Sequence, residues 1–342
     1  MQRRAGPGAI PTVCAQYPRD IALIEGRVET TARVSCPEVA RLLLLHDDAI
    51  ELVEQPAVLP PRLVATQVVE PDPADPWHRY YDDVRGTALA LLGLEEVPLV
   101  TRQFLVAYFA KEVDAFYGPG RAVNEAGLAN AVRRMRDPEF VAALIEQASA
   151  LELPESLATA VAHHLLAHVV HVSGGAWEMV RQAYLTYATD GDDSPVWLED
   201  ADGEQQLKVR PAAFRARYRE RAEAWEAAAD ERIDRYFTNY LVNAWMRGYL
   251  DAPSVTAFVR SLVLQTAILR FLLFSDPELP SPPADGPAQP DVLEALDRAA
   301  VRSVYRMSRA TEHDPGYLER LDRTLDELGF TSFAHLVALL RS

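Results

Sequence analysis

The first helix of this chain is predicted from the stretch Ser35-Cys36-Pro37-Glu38-Val39-Ala40-Arg41-Leu42-Leu43-Leu44. Pro37 suits the first position of a helix, because that position needs no N–H bond and its φ is already helical. Glu38 adds a carboxylate beside the positive end of the helix dipole. Upstream, Gly26 indicates a turn, and the β-branched run at 28–34 is typical of a short strand. The sequence therefore predicts a strand that leads directly into a helix.

A second segment, nearer the N-terminus, also joins a cysteine to a proline-bounded motif. It reads Cys14-Ala15-Gln16-Tyr17-Pro18-Arg19. Cys14 and Cys36 are the only cysteines of the chain, and its first residues lack the apolar run of a secretion signal. Two cysteines without such a signal predict a reducing compartment and no disulfide framework.

Taken together, these two segments resemble the flagellin lysine-N-methylase family. Two later segments carry the same resemblance in the expected order, Asn239-Tyr240-Leu241-Val242-Asn243 and Tyr305-Arg306-Met307-Ser308-Arg309-Ala310-Thr311-Glu312-His313-Asp314. The resemblance extends from about residue 12 to the end of the chain. It implies N-methylation of a protein lysine with S-adenosylmethionine as methyl donor, and flagellin or another protein as substrate.

The resemblance also bears on the cofactor. Family members usually carry a cysteine-rich segment that is taken to hold an iron–sulfur cluster. Such a cluster is usually held by four cysteine thiolates, whereas this chain has two cysteines. We therefore expect no iron–sulfur cluster here and retain S-adenosylmethionine as the cofactor that the resemblance implies.

The net charge of the chain indicates which kinds of binding partner to expect. The net charge is −16 over 342 residues, which argues against nucleic acid and anionic membrane surfaces, since both favour basic proteins. A basic protein segment that carries lysine, or a small molecule, is a better match, and a homodimer is compatible. The apolar segment at 261–274 is interrupted by Gln265 and Arg270, so it does not predict a membrane span. The expected location is the cytoplasm.

The chain reads as three segments with two proline-rich linkers. Residues 1–70 look mixed, with a short β element near 22–34, the helix from Pro37 and a strand at 49–53. Residues 77–275 show apolar periodicity near 3.6 and predict a helical core, including a long helix at 211–249 that is broken once. Residues 291–342 predict C-terminal helices that pack on that core. The expected fold is mainly α, an irregular helical bundle with a small N-terminal β element.

A predicted helix at 155–172 carries a stripe of histidines. His164, His168 and His171 recur at i, i+4 and i+7, within an arc of roughly 60°. Apolar residues cover the rest of this helix, so it should be buried, and buried imidazoles need hydrogen-bond partners. Imidazoles at this spacing can share a zinc or iron ion. The alternatives are a ligand pocket lined by His164 and His168, or a hydrogen-bonded interior stripe.

The region 236–247 shows a polar strip on an apolar helix. The strip contains Tyr236, Tyr240, Asn243 and Arg247, and the family-like segment adds Asn239. Such strips suit a pocket wall that orients a ligand by hydrogen bonds. A dimer seam or a structural network is equally compatible. We interpret these residues as ligand-binding, with Tyr240 as a catalytic candidate.

The C-terminal family-like segment places Tyr305, Arg309 and Glu312 at i, i+4 and i+7, with His313 beside them. Arg309 could clamp a carboxylate, and Glu312 or His313 could move a proton. From spacing alone, an ion pair within one helix explains the pattern as well. The resemblance makes Glu312, His313 and Arg309 catalytic candidates and Tyr305 a ligand-binding candidate.

In the N-terminal motif, Tyr17 and Arg19 are candidates for binding an anionic ligand, although such turns are commonly architectural.

The chain has no glycine-rich dinucleotide motif after a strand and no P-loop, so a Rossmann-type methyltransferase is not expected. Two further functions stay open beside lysine methylation. One is a repurposed small-molecule enzyme that uses acid–base chemistry for a condensation or cyclisation in a natural-product pathway. The other is a non-catalytic binding protein.

Overall fold

The structure, a computed structural model, describes residues 16–54, 65–69, 76–118, 123–150, 186–187, 196–199, 205–208, 211–283, 286–313, 316–327, 329–330 and 332–340. The protein is mainly α, as predicted. The helices are α1 Pro37–Leu45, α2 Pro76–Arg79, α3 Tyr81–Leu92, α4 Leu99–Phe116, α5 Glu125–Met135, α6 Pro138–Ala150, α7 Pro211–Arg247, α8 Val255–Phe274, α9 Pro290–His313, α10 Tyr317–Glu327 and α11 Phe333–Leu340. The strands are β1 Arg19–Ile24, β2 Arg27–Ala32, β3 Gln67–Val69, β4 Val196–Glu199 and β5 Gln205–Lys208.

The chain forms two compact units, each built from two segments. Unit 1 comprises Met1–Ala150 and Thr238–Val259, and unit 2 comprises Leu151–Phe237 and Arg260–Ser342. Each unit therefore draws on more than one of the three segments, 1–70, 77–275 and 291–342, that composition predicts. Whether those segments are domains stays a prediction.

A three-stranded sheet at the start of unit 1 has the order β2-β1-β3. β1 and β2 form an antiparallel hairpin in which Ile24 pairs with Arg27. The turn between them consists of Glu25 and Gly26, with φ of 49° and 78°. Positive φ at both central residues is what a type I′ hairpin turn requires. β3 pairs with β1 in parallel, whereas the predicted strand at 49–53 is wrong, because residues 47–54 form a turn and an irregular segment.

Helix α1 begins at Pro37, as predicted, with Cys36 as its N-cap residue and Glu38 in the first turn. Ala40 and Leu44 are fully buried. The helix therefore packs one face into unit 1 directly after the β hairpin.

The rest of unit 1 contains α2 to α6 and the carboxyl end of α7. Trp245 and Tyr249 are almost fully buried, and they make edge-to-face or tilted ring contacts with each other and with Phe258. Arg102 is also fully buried, and its Nη1 donates to the Leu92 carbonyl at 2.7 Å. An aromatic core thus surrounds the end of α7 and holds it in place.

Unit 2 combines most of α7 and most of α8 with α9 to α11, and partly buried arginines support its packing. Arg302 donates to both oxygens of Asp276, at 2.8 and 2.9 Å. Arg221 donates to the carbonyl oxygens of Phe274 and Leu279, at 2.7 and 2.6 Å. The Phe274 carbonyl belongs to the last turn of α8, where carbonyl oxygens have no intrahelical donor.

The predicted break in the long helix is confirmed. Ala229 lies inside α7 with φ −152° and ψ 34°, which is not helical. The residues on either side continue as helix, so α7 consists of two helical parts joined at this position.

In the described part of the chain, α8 is the one helix long and apolar enough to cross a membrane, with a mean hydropathy of 1.7. However, 67% of its apolar stretch is buried by the protein itself. Core helices pass the same test, so this is weak support for a membrane span.

Candidate functional site

Unit 1 contains a groove of about 610 Å³, within the usual range for small-molecule sites of about 300–1,000 Å³. We call it the N-terminal groove. Its walls come from the start of β1, the end of β2, α1, the segment after α1, and α7. The lining residues are Pro18, Arg19, Thr30, Thr31, Ala32, Val39, Leu42, Leu43, His46, Asp48, Ala49, Ile50, Glu51, Leu52, Val242, Asn243 and Met246.

Two asparagines of α7 fasten the walls of the groove together. Asn239 Nδ2 donates to the carbonyl oxygen of Leu43 in α1 at 2.8 Å, and Asn243 Nδ2 donates to that of Ala32 in β2 at 3.1 Å. Four residues apart, the two amides lie on one side of the helix. Asn239 is only 3% exposed, so its bond is shielded from water. The family-like segment therefore has a structural role, which the sequence left open.

The buried carboxylate of Asp20 also links the strands of the groove to α7. Asp20 is 7% exposed. Its Oδ1 accepts from Nε and Nη2 of Arg33 at 3.2 and 2.9 Å, and its Oδ2 accepts from Nε of Arg247 at 2.8 Å. Asp20 thus links β1, the residue after β2 and the end of α7. Sequence reasoning selected Arg247 but missed Asp20, which lies 227 positions away and has no local signal.

The lining is predominantly apolar, with charged groups on particular walls. Arg19 lies at the start of β1, and His46 follows α1. Asp48 and Glu51 lie on the segment after α1, and both are exposed. Leu52, in the same segment, is 70% exposed. The groove therefore combines apolar surface with two carboxylates that reach solvent.

Tyr17 precedes the groove and is 45% exposed. Its hydroxyl lies 3.5 Å from Oγ of Ser35, so the two family-like N-terminal segments meet in the structure. Cys36, between Ser35 and α1, is a half-buried free cysteine. Cys14 lies outside the described residues. Four thiolates are usual for an iron–sulfur cluster, so the two cysteines of this chain do not fit that group.

Behind the hairpin, Glu29 forms a buried charge cluster with Arg85. Arg85 Nη1 and Nη2 donate to the two oxygens of Glu29 at 2.6 and 2.8 Å, and Nη2 also donates to Asp82 at 2.8 Å. The guanidinium lies over the Tyr81 ring, 4.6 Å from its centroid. Burial disfavours ionised Glu29, but the hydrogen bonds from Arg85 and Arg27 outweigh it and lower the pKa of Glu29. This cluster fixes β2 against α3.

The candidates predicted on α7 divide between the two units. Asn239, Tyr240, Asn243 and Arg247 belong to unit 1; Asn243 lines the N-terminal groove, whereas Tyr240 is 6% exposed and does not. Tyr236 belongs to unit 2. Their predicted roles in ligand binding or catalysis stay predictions.

In unit 2, the Tyr236 hydroxyl donates a short hydrogen bond to Oδ1 of Asp297, and Arg232 Nη1 donates to Oδ2 at 2.8 Å. Burial, followed by the carboxylate of Asp297, raises the pKa of Tyr236 far above its ordinary value. This arrangement ties α7 to α9 within the unit.

The C-terminal candidates lie at the end of α9. Nη1 of the exposed Arg309 donates to the Tyr305 hydroxyl at 3.1 Å. Glu312 and His313 are the last helical positions but one and the last, and their side chains lie outside the described part. The catalytic roles assigned to these residues stay predictions.

The histidine stripe at His164, His168 and His171 also lies outside the described residues, so its metal and pocket interpretations stay predictions. Within the ranges that the structure describes, no group of three or more histidine, cysteine, aspartate or glutamate side chains could hold a metal ion.

The fold and the groove define a mainly α protein with a ligand-sized cleft beside a small N-terminal sheet. Residues 85–339 match the family model of the FliB lysine N-methylase C-terminal domain. The match spans more than half of the chain, so the protein belongs to the FliB lysine N-methylase family. It includes the α7 wall of the groove, whereas the walls formed by residues 18–52 precede it. No curated protein matches the chain, and neither does any solved structure.

Proposed function

We propose that this protein N-methylates a lysine of a protein substrate, with S-adenosylmethionine as methyl donor, and that the substrate lysine enters the N-terminal groove. The observation that carries the proposal is the pairing of an apolar lining with two exposed carboxylates, Asp48 and Glu51, in a member of this family. A lysine side chain has a four-carbon stem and a charged end. Leu42 and Leu52 offer surface to the stem, and the carboxylates pair with the ammonium group.

The groove also fits the methyl donor in size and chemistry. Its volume of about 610 Å³ exceeds what a lysine side chain needs, and drug-sized ligands occupy sites of about 300–1,000 Å³. Arg19 is a cation for the donor's carboxylate, since guanidinium pairs well with carboxylates. When bound, the donor supplies a methyl group on a positively charged sulfur.

The residues of this chain then have to hold and deprotonate the lysine. A protonated amine has no lone pair, so its proton must leave before the nitrogen can react. His46 lines the same groove, and an imidazole is the most common general base in enzymes. In this proposal Asp48 and Glu51 hold the ammonium group and His46 accepts its proton.

The test compares Asp48→Asn/Glu51→Gln with Glu54→Gln. Glu54 is exposed in the same segment but does not line the groove. The intact mass of a lysine-rich protein substrate, flagellin included, is followed in the presence of S-adenosylmethionine. We expect the double variant to lose at least tenfold in kcat/KM, mainly through KM, while the control keeps its activity. Both should keep their melting temperature, since exposed charges change stability by about 0.5 kcal/mol or less.

Equal activity of the double variant and the control would refute the role of the carboxylates. Absence of any methyl transfer, together with no heat of binding for S-adenosylmethionine, would refute the function itself.

The second candidate function is acid–base catalysis on a small molecule. It is favoured by the presence of Arg19, His46 and Glu51 on one groove of small-molecule size, since a condensation or cyclisation needs an orienting cation and a group that moves protons. A small carboxylic acid that binds in place of the methyl donor, with an affinity that Arg19→Gln abolishes, would select this function.

A further inference from the structure

The pattern of hydrogen bonds between β1 and β2 shows which backbone groups of β2 face away from β1. In the order β2-β1-β3, β2 is the edge strand of the described sheet. The N–H of Arg33 donates to the carbonyl oxygen of Pro18 at 2.8 Å. In an antiparallel pair, residues alternate between facing the partner strand and facing away. Since Arg33 faces β1, the backbone groups of Ala32, Thr30 and Val28 face away from it.

The N-terminal groove reaches this outer edge near the end of β2 and also contacts Pro18 and Arg19 at the start of β1. Thr30 and Thr31 point to opposite faces of the sheet because successive strand residues alternate, yet both line the groove together with Ala32. A groove that contacts residues on both faces of one strand reaches the edge of that strand. Asn243 closes one end of it by donating to the Ala32 carbonyl. The backbone of Thr30 lies beyond that closed end.

The geometry points to this edge as the docking site for an extended segment of the protein substrate, which adds to the sheet as a strand beside β2. The substrate class, a lysine-bearing peptide segment, rests on the proposed function. Added strands gain affinity from main-chain hydrogen bonds, and alternate side chains give specificity. The outward N–H and C=O of Thr30 supply the hydrogen bonds. Leu42 and Leu52 contact alternate apolar side chains.

Charge favours the same occupant. Asp48 and Glu51 line the groove together with one arginine, Arg19, and the chain as a whole has a net charge of −16. A segment with a lysine at one inward-facing position places its ammonium beside these carboxylates. Opposite charges of this kind speed association and select the register of binding.

A peptide whose backbone amides are blocked one at a time tests the inference. The probe is an acetylated nine-residue peptide of alternating threonine and valine with one central lysine. Each of its amides is N-methylated in turn, and binding is measured by calorimetry without methyl donor. An added strand uses every second amide, so we expect at least a tenfold loss of affinity at alternate positions and less than a twofold loss between them. Similar losses at neighbouring positions would overturn the inference.

The protein supplies a matched pair of variants. Thr30→Pro removes the outward N–H, and proline is tolerated in edge strands where that N–H faces solvent. Thr30→Val changes the side chain but keeps the N–H. We expect the proline variant to bind the peptide at least tenfold more weakly than the valine variant, with an unchanged circular dichroism spectrum. Equal loss in both variants would assign the effect to the side chain and overturn the inference.

Hydrogen exchange provides a readout that does not depend on a variant. The Thr30 amide should exchange quickly in the free protein and slowly with the peptide. Slow exchange in the free protein would mean that the chain itself occupies the edge, which overturns the inference. Methyl transfer is measured separately on whole protein substrate. If methyl transfer occurs but N-methylation weakens binding equally at every amide, the docking mode is overturned and the proposed function is kept. If binding is weakened only at alternate amides but no methyl transfer occurs, the docking mode is kept and the proposed function is overturned.

Discussion

Replacing Glu29 by glutamine keeps the shape of the side chain but removes the charge opposite Arg85. Both groups are shielded, with 13% of the Glu29 side chain and 7% of the Arg85 side chain exposed. Removing one partner of a buried pair typically costs about 3–5 kcal/mol, about half of which should be offset here by the bond that remains to Asp82, so we expect about 1.5–2.5 kcal/mol. Urea unfolding should show a midpoint lower by roughly 1 M, at slopes of about 2–3 kcal/mol/M.

The sign of the pH dependence follows from the lowered pKa of Glu29. A carboxyl group whose pKa is lower in the folded state contributes its stability above the unfolded pKa, and that stability disappears as the pH falls through the folded pKa. The difference between the wild type and Glu29→Gln should therefore be full at pH 7 and shrink in acid. The control is Glu38→Gln, because Glu38 pairs with Arg41 in solvent and its loss should lower the midpoint much less than the loss of Glu29. A Glu29→Gln difference that stays constant down to strongly acidic pH, or one no larger than the control's, would refute the reasoning.

Two further predictions concern the end of α7. Asn239→Leu leaves the buried Leu43 carbonyl without its donor, which should cost about 1–3 kcal/mol; an unchanged melting temperature in differential scanning calorimetry would contradict this. Gly248 has φ of +100°, and a Cβ there would lie 2.7 Å from the Tyr81 hydroxyl, so Gly248→Ala should destabilise by roughly 1–3 kcal/mol. Gly86, exposed on α3 with open space around its Cα, is the matched control, and Gly86→Ala should stabilise by about 0.5–1 kcal/mol. Equal effects of the two alanines on urea midpoints would show that the close approach at Gly248 does not matter.

Local patterns were sufficient for much of the fold. Pro37 marks a helix start because proline tolerates only a few backbone positions, and the apolar periodicity of 211–249 was enough to predict a long helix with one break, found at Ala229. The prediction of a strand at 49–53 is wrong, because a residue pattern does not show whether a neighbouring strand is available for pairing. Its β-branched and apolar residues suit a strand, but a short strand persists only where a neighbour supplies hydrogen bonds, and in this sheet β1 pairs with residues 67–69 instead.

The candidate site was only partly predictable. Asn243 and Arg19 were selected from motifs and do line the groove. Asp48 and Glu51 were missed, because exposed acids in an acidic chain carry no local signal. Asp20 was missed because its meaning depends on Arg33 and a distant arginine of α7.

The helical class, the start of α1 at Pro37, the number of cysteines and the family can be read from neighbouring residues or from composition. Three features become visible only in the folded chain: β2 is an edge strand, Asn243 of α7 bonds to the Ala32 carbonyl at one end of the groove, and Glu29 pairs with Arg85. These contacts join positions tens to hundreds of residues apart, and their energy comes from burial and hydrogen bonds that exist only once the chain has folded.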